Sequence, residues 1–197
     1  MPPAKTPAAA LPTLSFPTPD AWSAWLVTHH ASSRGLWLKL GKKQAGVPSI
    51  TYAQALEVAL AWGWIDGVKH KHDEAWWLQK FTPRGARSVW SVINRDKALA
   101  LIAAGAMKPS GLAEVERARR DGRWEAAYEP QSRATVPEDL AAALAKNARA
   151  AAFFVTLSSA NRYAVLYRIQ GAKKPETRAA RIAKFVEMLA RHETLHP

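Results

Sequence analysis

A chain of 197 residues, 48% hydrophobic and 22% charged, has the composition of an ordinary globular protein, which excludes fibrous, low-complexity and wholly disordered classes. It has no cysteine, so disulfides, thiolate metal sites and cysteine nucleophiles are excluded as well. Its 28 Lys and Arg against 16 Asp and Glu leave a formal charge of +12, a field that favours nucleic acid, anionic surfaces or acidic ligands. The excess is shared evenly between the two halves, so no polybasic tail carries it.

Residues 1–19, MPPAKTPAAALPTLSFPTP, read as a disordered leader, because Pro, Ala and Thr bury too little surface to offset the entropy of ordering. The apolar run from Ala8 to Leu11 is shorter than the roughly 7 to 15 residues of a secretory core, and the expected compartment is the cytoplasm. No segment approaches the roughly 18 apolar residues of a membrane span. Thr18, Pro19 and Asp20 then supply an N-cap, a first-turn proline and a first-turn acid, and Trp22, Trp25 and Leu26 follow at helical spacing. This helix stops before Gly35, with His29 and His30 placed to satisfy its last carbonyls. Leu36, Leu38 and Leu40 alternate with Trp37 and Lys39, which predicts a half-buried strand. After a polar loop, Thr51 and Gln54 form a capping box; Tyr52, Leu56, Ala59 and Leu60 form the apolar stripe of a helix running to about Trp62.

From Trp64 the period changes to two. Trp64, Asp66 and Val68 face one way, HKHDE makes a turn and WWLQKF repeats the alternation, so residues 64 to 81 predict an antiparallel hairpin. FTPRGARS is a basic loop, since Pro83 and Gly85 interrupt both helix and strand. Beyond Ser91 the pattern is helical, with stops at Gly105, Gly122 and Gly171 and restarts near Ser110, Pro137, Ser158 and Pro175. The expected fold class is α+β. A small N-terminal sheet of strand, helix and β-hairpin, with its helices, occupies 20–105, and it packs on an all-helical subdomain over 106–197 to make one compact unit.

Six motifs occur in order: TYAQALEVALAWGWIDG, FTPR, SVWS followed by NRDKA, GAMKPSGL, DGRWEAAY and NRYAVLYRIQGAKKPETRAARIAKF. Together they resemble the YdeI or OmpD-associated family, also described as bacteriocin-protection proteins, over residues 14 to 197. The resemblance implies a link to survival of bacteriocins or cationic antimicrobial peptides and to an outer-membrane porin. It implies no reaction, cofactor or catalytic residue.

The residues themselves nominate two surfaces. Trp64 and Asp66 on the hairpin, Arg84, Arg87 and Ser88 in the basic loop, and Trp90, Ser91 and Asn94 beyond it would make an aromatic-walled pocket for a small anionic ligand or a peptide if the loop folds back over the sheet. The alternative is a structural ion pair between Asp66 and Arg84, with Ser91 or Asn94 capping the next helix. The second surface is the basic run Arg162, Arg168, Lys173, Lys174, Arg178, Arg181 and Lys184, relieved only by Glu176, which reads either as a solvated helical face or as a phosphate-binding one.

Two further motifs carry less. His192-Glu193-Thr194-Leu195-His196 satisfies H-E-x-x-H, but both imidazoles must share a helical turn and the residue before Pro197 is biased away from helix. The resembling family often carries Gly at the position of His192. His70-Lys71-His72-Asp73 falls on a hairpin tip and reads as a solvated turn. No G-x-S-x-G elbow, phosphate loop or dinucleotide fingerprint occurs. The sequence therefore predicts a non-enzymatic binding or stress-protection protein with no metal and no cofactor, or alternatively a sequence-nonspecific nucleic-acid binder.

Overall fold

Strand formation begins earlier than the leader composition suggests. The computed structural model describes residues 10–197. Within it Thr13–Ser15 form a short edge strand, β1, flanked by Pro12 and Pro17, where a missing N–H costs no ladder bond. The leader expected over 1–19 is thus ordered in its second half, and residues 1–9 lie outside the described residues. Thr18 is extended and its hydroxyl accepts from the Ala21 amide, which starts α1 (Pro19–His29). The imidazoles of His29 and His30 lie 2.8 and 2.9 Å from the carbonyls of Trp25 and Leu26, closing that helix as expected.

β2 (Leu36–Gly41) buries Leu36, Leu38 and Leu40 and turns Trp37 and Lys39 to the other face. The full capping box of Thr51 and Gln54 opens α2 (Tyr52–Ala61). β3 (Trp64–Lys71) and β4 (Trp76–Pro83) form the predicted hairpin, and the sheet order is β1-β2-β4-β3, parallel only between β1 and β2. One correction falls inside the hairpin. The register slips between Asp66 and Lys69, so Gly67 and Val68 oppose Lys80 together and the side-chain phase shifts by one. Val68, expected beside Trp64, is instead 59% exposed. Buried Gln79 holds the bulge by donating from Nε2 to the carbonyl of Gly67 at 2.7 Å.

The helical remainder comprises α3 (Val92–Ala103), α4 (Pro109–Arg120), α5 (Glu138–Ala145), α6 (Ala148–Thr156), α7 (Ser159–Gln170) and α8 (Pro175–Ala190). The expected stops and restarts hold. A further break was hidden at Asn147, whose side chain accepts from the Ala150 amide and caps α6 within an otherwise continuous helical pattern.

The α+β class with an N-terminal sheet is as predicted, but the described chain divides into two compact units along different lines from 20–105 and 106–197. Residues up to Val89 together with Asn94–Glu125 make the first, and Trp90–Ile93 with Ala126–Pro197 the second. The reason is local anchoring. α4 starts on α2, with the Lys108 amide donating to the Ala61 carbonyl and the Ser110 hydroxyl to the Trp62 carbonyl, each at 3.0 Å. Trp90–Ile93 instead bond to Tyr128 through the Tyr128 amide and carbonyl. The first unit's core centres on Trp22, with Trp64 and Phe81 at ring distances of 6.0 Å. The second unit's core is aliphatic and phenyl, from Leu140, Leu144, Phe154, Val165, Ile169 and Phe185.

Candidate functional site

The residues nominated for a pocket around the hairpin each have their own structural setting. Trp64 is a core residue, 1% exposed. Asp66 accepts the Tyr52 hydroxyl at 2.8 Å, so Tyr52, expected on the inner stripe of its helix, lies outward instead. Arg84 is buried, donates from Nη1 to the Val89 carbonyl, and its charge acts on Glu114. Ser88 folds its own loop, its hydroxyl accepting from the Gly85 amide, while Arg87 is exposed and Asn94 lies half-buried in α3. Trp90 and Ser91 belong to the second unit.

What the loop does possess is a set of guanidinium clamps. Arg117 donates to the Arg84 carbonyl, Arg123 donates to the Ser88 carbonyl at 2.6 Å, and Arg117 also pairs with Glu114 on the preceding turn of α4. Burial pushes the Glu114 carboxyl above its ordinary range against the pull of Arg117, Arg84 and Arg123. These contacts hold residues 84–89 in place, which is a structural task.

The basic run is likewise engaged. Arg162 donates to the Phe154 and Val155 carbonyls at the end of α6, Arg168 to the Ala164 carbonyl, and Arg178 and Arg181 to the Ile169 and Arg168 carbonyls at the end of α7. Cations suit the last turns of α6 and α7, where the negative end of the helix dipole lies; the Arg168 contact to Ala164 lies within α7. Lys173, Lys174 and Lys184 remain on the surface.

Arg178 is tied most firmly. Its Nε and Nη2 grip both carboxylate oxygens of Asp139 at 2.5 and 2.9 Å. Those hydrogen bonds hold the Asp139 carboxyl below its ordinary value. A carboxyl whose folded value is depressed stabilises the fold above its unfolded value and loses that contribution as pH falls through the folded one. Because Asp139 is 45% exposed, the gain is at most about 1 kcal/mol. Urea unfolding from pH 7 down to pH 2 should show Asp139→Asn less stable at neutrality and converging on the parent in acid; a constant gap across that range would refute the assignment.

The terminal H-E-x-x-H lies beyond the end of α8, and His192 takes a left-handed φ of 59°. Its ring stacks on Phe153 at 4.8 Å, Glu193 pairs with Arg191, and the His196 backbone is held by Asn161. The two imidazoles therefore do not share a helical turn. The hairpin-tip histidines are exposed, and Asp73 there accepts from the Ala75 and Trp76 amides. Among the described residues no group of three or more His, Cys, Asp or Glu is placed to hold a metal ion, and no helix is long and apolar enough to cross a membrane.

The second unit holds a site that sequence reasoning missed. Tyr163 and Tyr167 stand four residues apart on one face of α7, their rings 5.9 Å apart, and Tyr128 meets Tyr167 edge-on at 5.1 Å. The segment carrying Tyr128 and Glu129 is pinned, since the Tyr128 amide donates to the Trp90 carbonyl and the Val92 amide to the Tyr128 carbonyl. Tyr163 donates its hydroxyl to the Glu129 carbonyl at 2.9 Å, and burial followed by Tyr128, Tyr167 and Glu129 raises its phenol above the usual value, keeping it a neutral donor.

Beside these rings is a cleft of about 210 Å³ lined by Glu129, Thr135, Tyr163, Tyr167, Gln170 and Arg178. The Oε2 oxygen of Glu129 is buried and has no hydrogen-bond partner among the described residues. A larger cleft of about 260 Å³ in the first unit, beside α1 and α2, is mostly apolar; its Gln54 is spent on the capping box. The sequence cue for the tyrosine cleft was the i, i+4 pair inside NRYAVLYRIQ, which reads equally as packing.

The fold is an α+β chain with a sheet unit and a helical unit, and the helical unit carries an aromatic cleft lined by Glu129, one of whose carboxylate oxygens is buried without a hydrogen-bond partner among the described residues. By family model the chain belongs to the Domain of unknown function family DUF8412, matched over residues 14–114, just over half its length. Residues 133–192 match the family model described as Bacteriocin-protection, YdeI or OmpD-Associated, which bears out the YdeI resemblance over that segment. Comparison with curated proteins and with solved structures gives no match.

Proposed function

We propose that the protein is a non-enzymatic binding protein that captures a primary ammonium or guanidinium group in the cleft between Glu129 and the tyrosines of α7. Such capture serves protection against cationic peptides, in keeping with the bacteriocin-protection description that residues 133–192 match. The observation that carries this reading is the buried Glu129 Oε2 without a donor. A buried acceptor left unpaired costs about 1–3 kcal/mol, more when charged, and an N–H-bearing cation would satisfy it.

The remaining features fit the same ligand chemistry. Tyrosine faces attract a cation within about 6 Å of the ring. At about 210 Å³ the cleft is smaller than the roughly 300–1,000 Å³ that accommodates whole drug-sized ligands, and suits the tip of a side chain. Arg178, the cation that lines the cleft, is committed to Asp139 and the Ile169 carbonyl, so it is poorly placed to recruit an anion. The local preference is then opposite to that suggested by the net charge, which averages over the whole surface.

Calorimetry on the full chain tests this with n-butylamine, a short Lys-Ala peptide and the same peptide carrying norleucine for lysine. The lysine peptide should bind, the norleucine peptide should not, and butylamine binding tells whether the isolated amine suffices. Glu129→Gln should weaken binding by about tenfold or more, the worth of a charge-assisted hydrogen bond. Binding that survives Glu129→Gln unchanged, or no binding by any amine, would overturn the proposal.

A further inference from the structure

The first unit carries a surface that the cleft does not involve. α1 and α2 cover one face of the sheet, as the contacts of Trp22 with Trp64 and Phe81 and the Trp22 indole bond to the Ala55 carbonyl show. The register places Trp37, Lys39, Trp76, Leu78, Lys80 and His70 on the opposite face. None of the residues that the register puts there is acidic; Asp73, in the hairpin turn beside the face, acts on Lys39. Trp37 on β2 meets His70 on β3 at 4.8 Å with β4 lying between those strands, so its indole lies across the sheet rather than standing out from it. Lys39 places its Nζ 5.0 Å from the Trp76 ring.

We infer that this face binds single-stranded nucleic acid, with bases stacked on Trp37 and Trp76 and phosphates neutralised by Lys39 and Lys80. Flat aromatic rings on a sheet offer stacking to any base, because every base has a π-face, and neighbouring cations track the backbone. Charge complementarity selects the occupant: the face is basic within a chain of +12. A membrane surface is disfavoured, since an interfacial anchor buries its apolar groups about 5–10 Å below the headgroups, and Trp37, Trp76 and Leu78 are half-buried in the sheet instead of projecting.

The test is fluorescence anisotropy of a labelled mixed-sequence single-stranded 12-mer with the full chain over a range of salt, alongside co-sedimentation with vesicles of phosphatidylglycerol and phosphatidylcholine. The oligonucleotide should bind in low salt, Trp37→Ala should weaken it by about tenfold or more, and Tyr167→Ala should leave it unchanged. Lys39→Gln with Lys80→Gln, both on the sheet surface, should flatten the slope of log affinity against log salt by about 1.4, the value for two lost contacts to a single strand. This pair keeps the test decisive if Trp37→Ala fails to fold. No oligonucleotide binding, binding and slope indifferent to these substitutions, or vesicle binding that the oligonucleotide does not displace would each overturn the inference.

Discussion

Trp22→Ala is expected to cost about 3 to 5 kcal/mol, the range for deleting a large aromatic side chain from a packed core. Trp22 is fully buried, and its ring lies 5.2 Å from Phe16, 5.5 Å from Trp25 and 6.0 Å from both Trp64 and Phe81, joining α1 to the sheet. Its Nε1 also donates to the Ala55 carbonyl of α2 at 3.2 Å. Three elements therefore lose contacts at one substitution, and a cavity of that shape cannot collapse without moving the sheet. Trp22→Phe keeps much of the ring while losing the donor, and should cost distinctly less. Urea unfolding followed by far-UV circular dichroism checks the order; a loss under about 1 kcal/mol for Trp22→Ala would mean the ring does not hold these elements together.

The second large effect is expected at Gly111, for a reason that helix propensity alone gets backwards. Gly111 lies inside α4, where Ala is intrinsically favoured by about 1 kcal/mol. A β-carbon at Gly111, however, would fall well inside van der Waals contact of the Ala61 carbonyl oxygen and of the Met107 sulfur. The sulfur can swing aside; the carbonyl ends α2 and already accepts the Lys108 amide. Gly111→Ala should therefore destabilise by about 2 kcal/mol or more, as overpacking does. Gly67→Ala is the control, because its β-carbon would find Lys80 at an ordinary 3.6 Å, and it should change stability by less than about 0.5 kcal/mol. Equal effects at both positions would refute the close-approach argument.

The tyrosine cleft was illegible in the sequence for a physical reason. Tyr163 and Tyr167 could be seen to share a helix face, but nothing near Glu129 signals that its carboxylate oxygen is buried. That follows from contacts such as the one Tyr163 makes with the Glu129 carbonyl, 34 residues distant. The residues nominated around the hairpin show the complementary difficulty. The residue types were suitable, yet Asp66 accepts from Tyr52 of α2 and the charge of Arg84 acts on Glu114 of α4, partners that the sequence around the hairpin does not reveal. In the basic run, composition counted seven cations without distinguishing the lysines from the arginines, and geometry ties all four arginines to helix carbonyls.

By itself, the sequence determined most features governed by neighbours along the chain, the Asn147 cap of α6 being the exception. The Thr18 cap of α1, the Thr51 and Gln54 capping box of α2, the alternation of β2, the hairpin of β3 and β4, and the helix restarts near Ser110, Pro137, Ser158 and Pro175 all arise from interactions within a few residues or from one period. Tertiary structure alone decided the rest. Three residues flanked by prolines became β1 only because β2 offers an edge more than twenty residues later. The phase of β3 changed at Gly67 and Val68 because β4 supplied one residue, Lys80, opposite two. α3 and α4 joined the sheet unit because α2 presents Ala61 and Trp62 carbonyls to the start of α4. In each case a distant partner, invisible to local propensity, satisfied a backbone group that burial would otherwise have left unpaired.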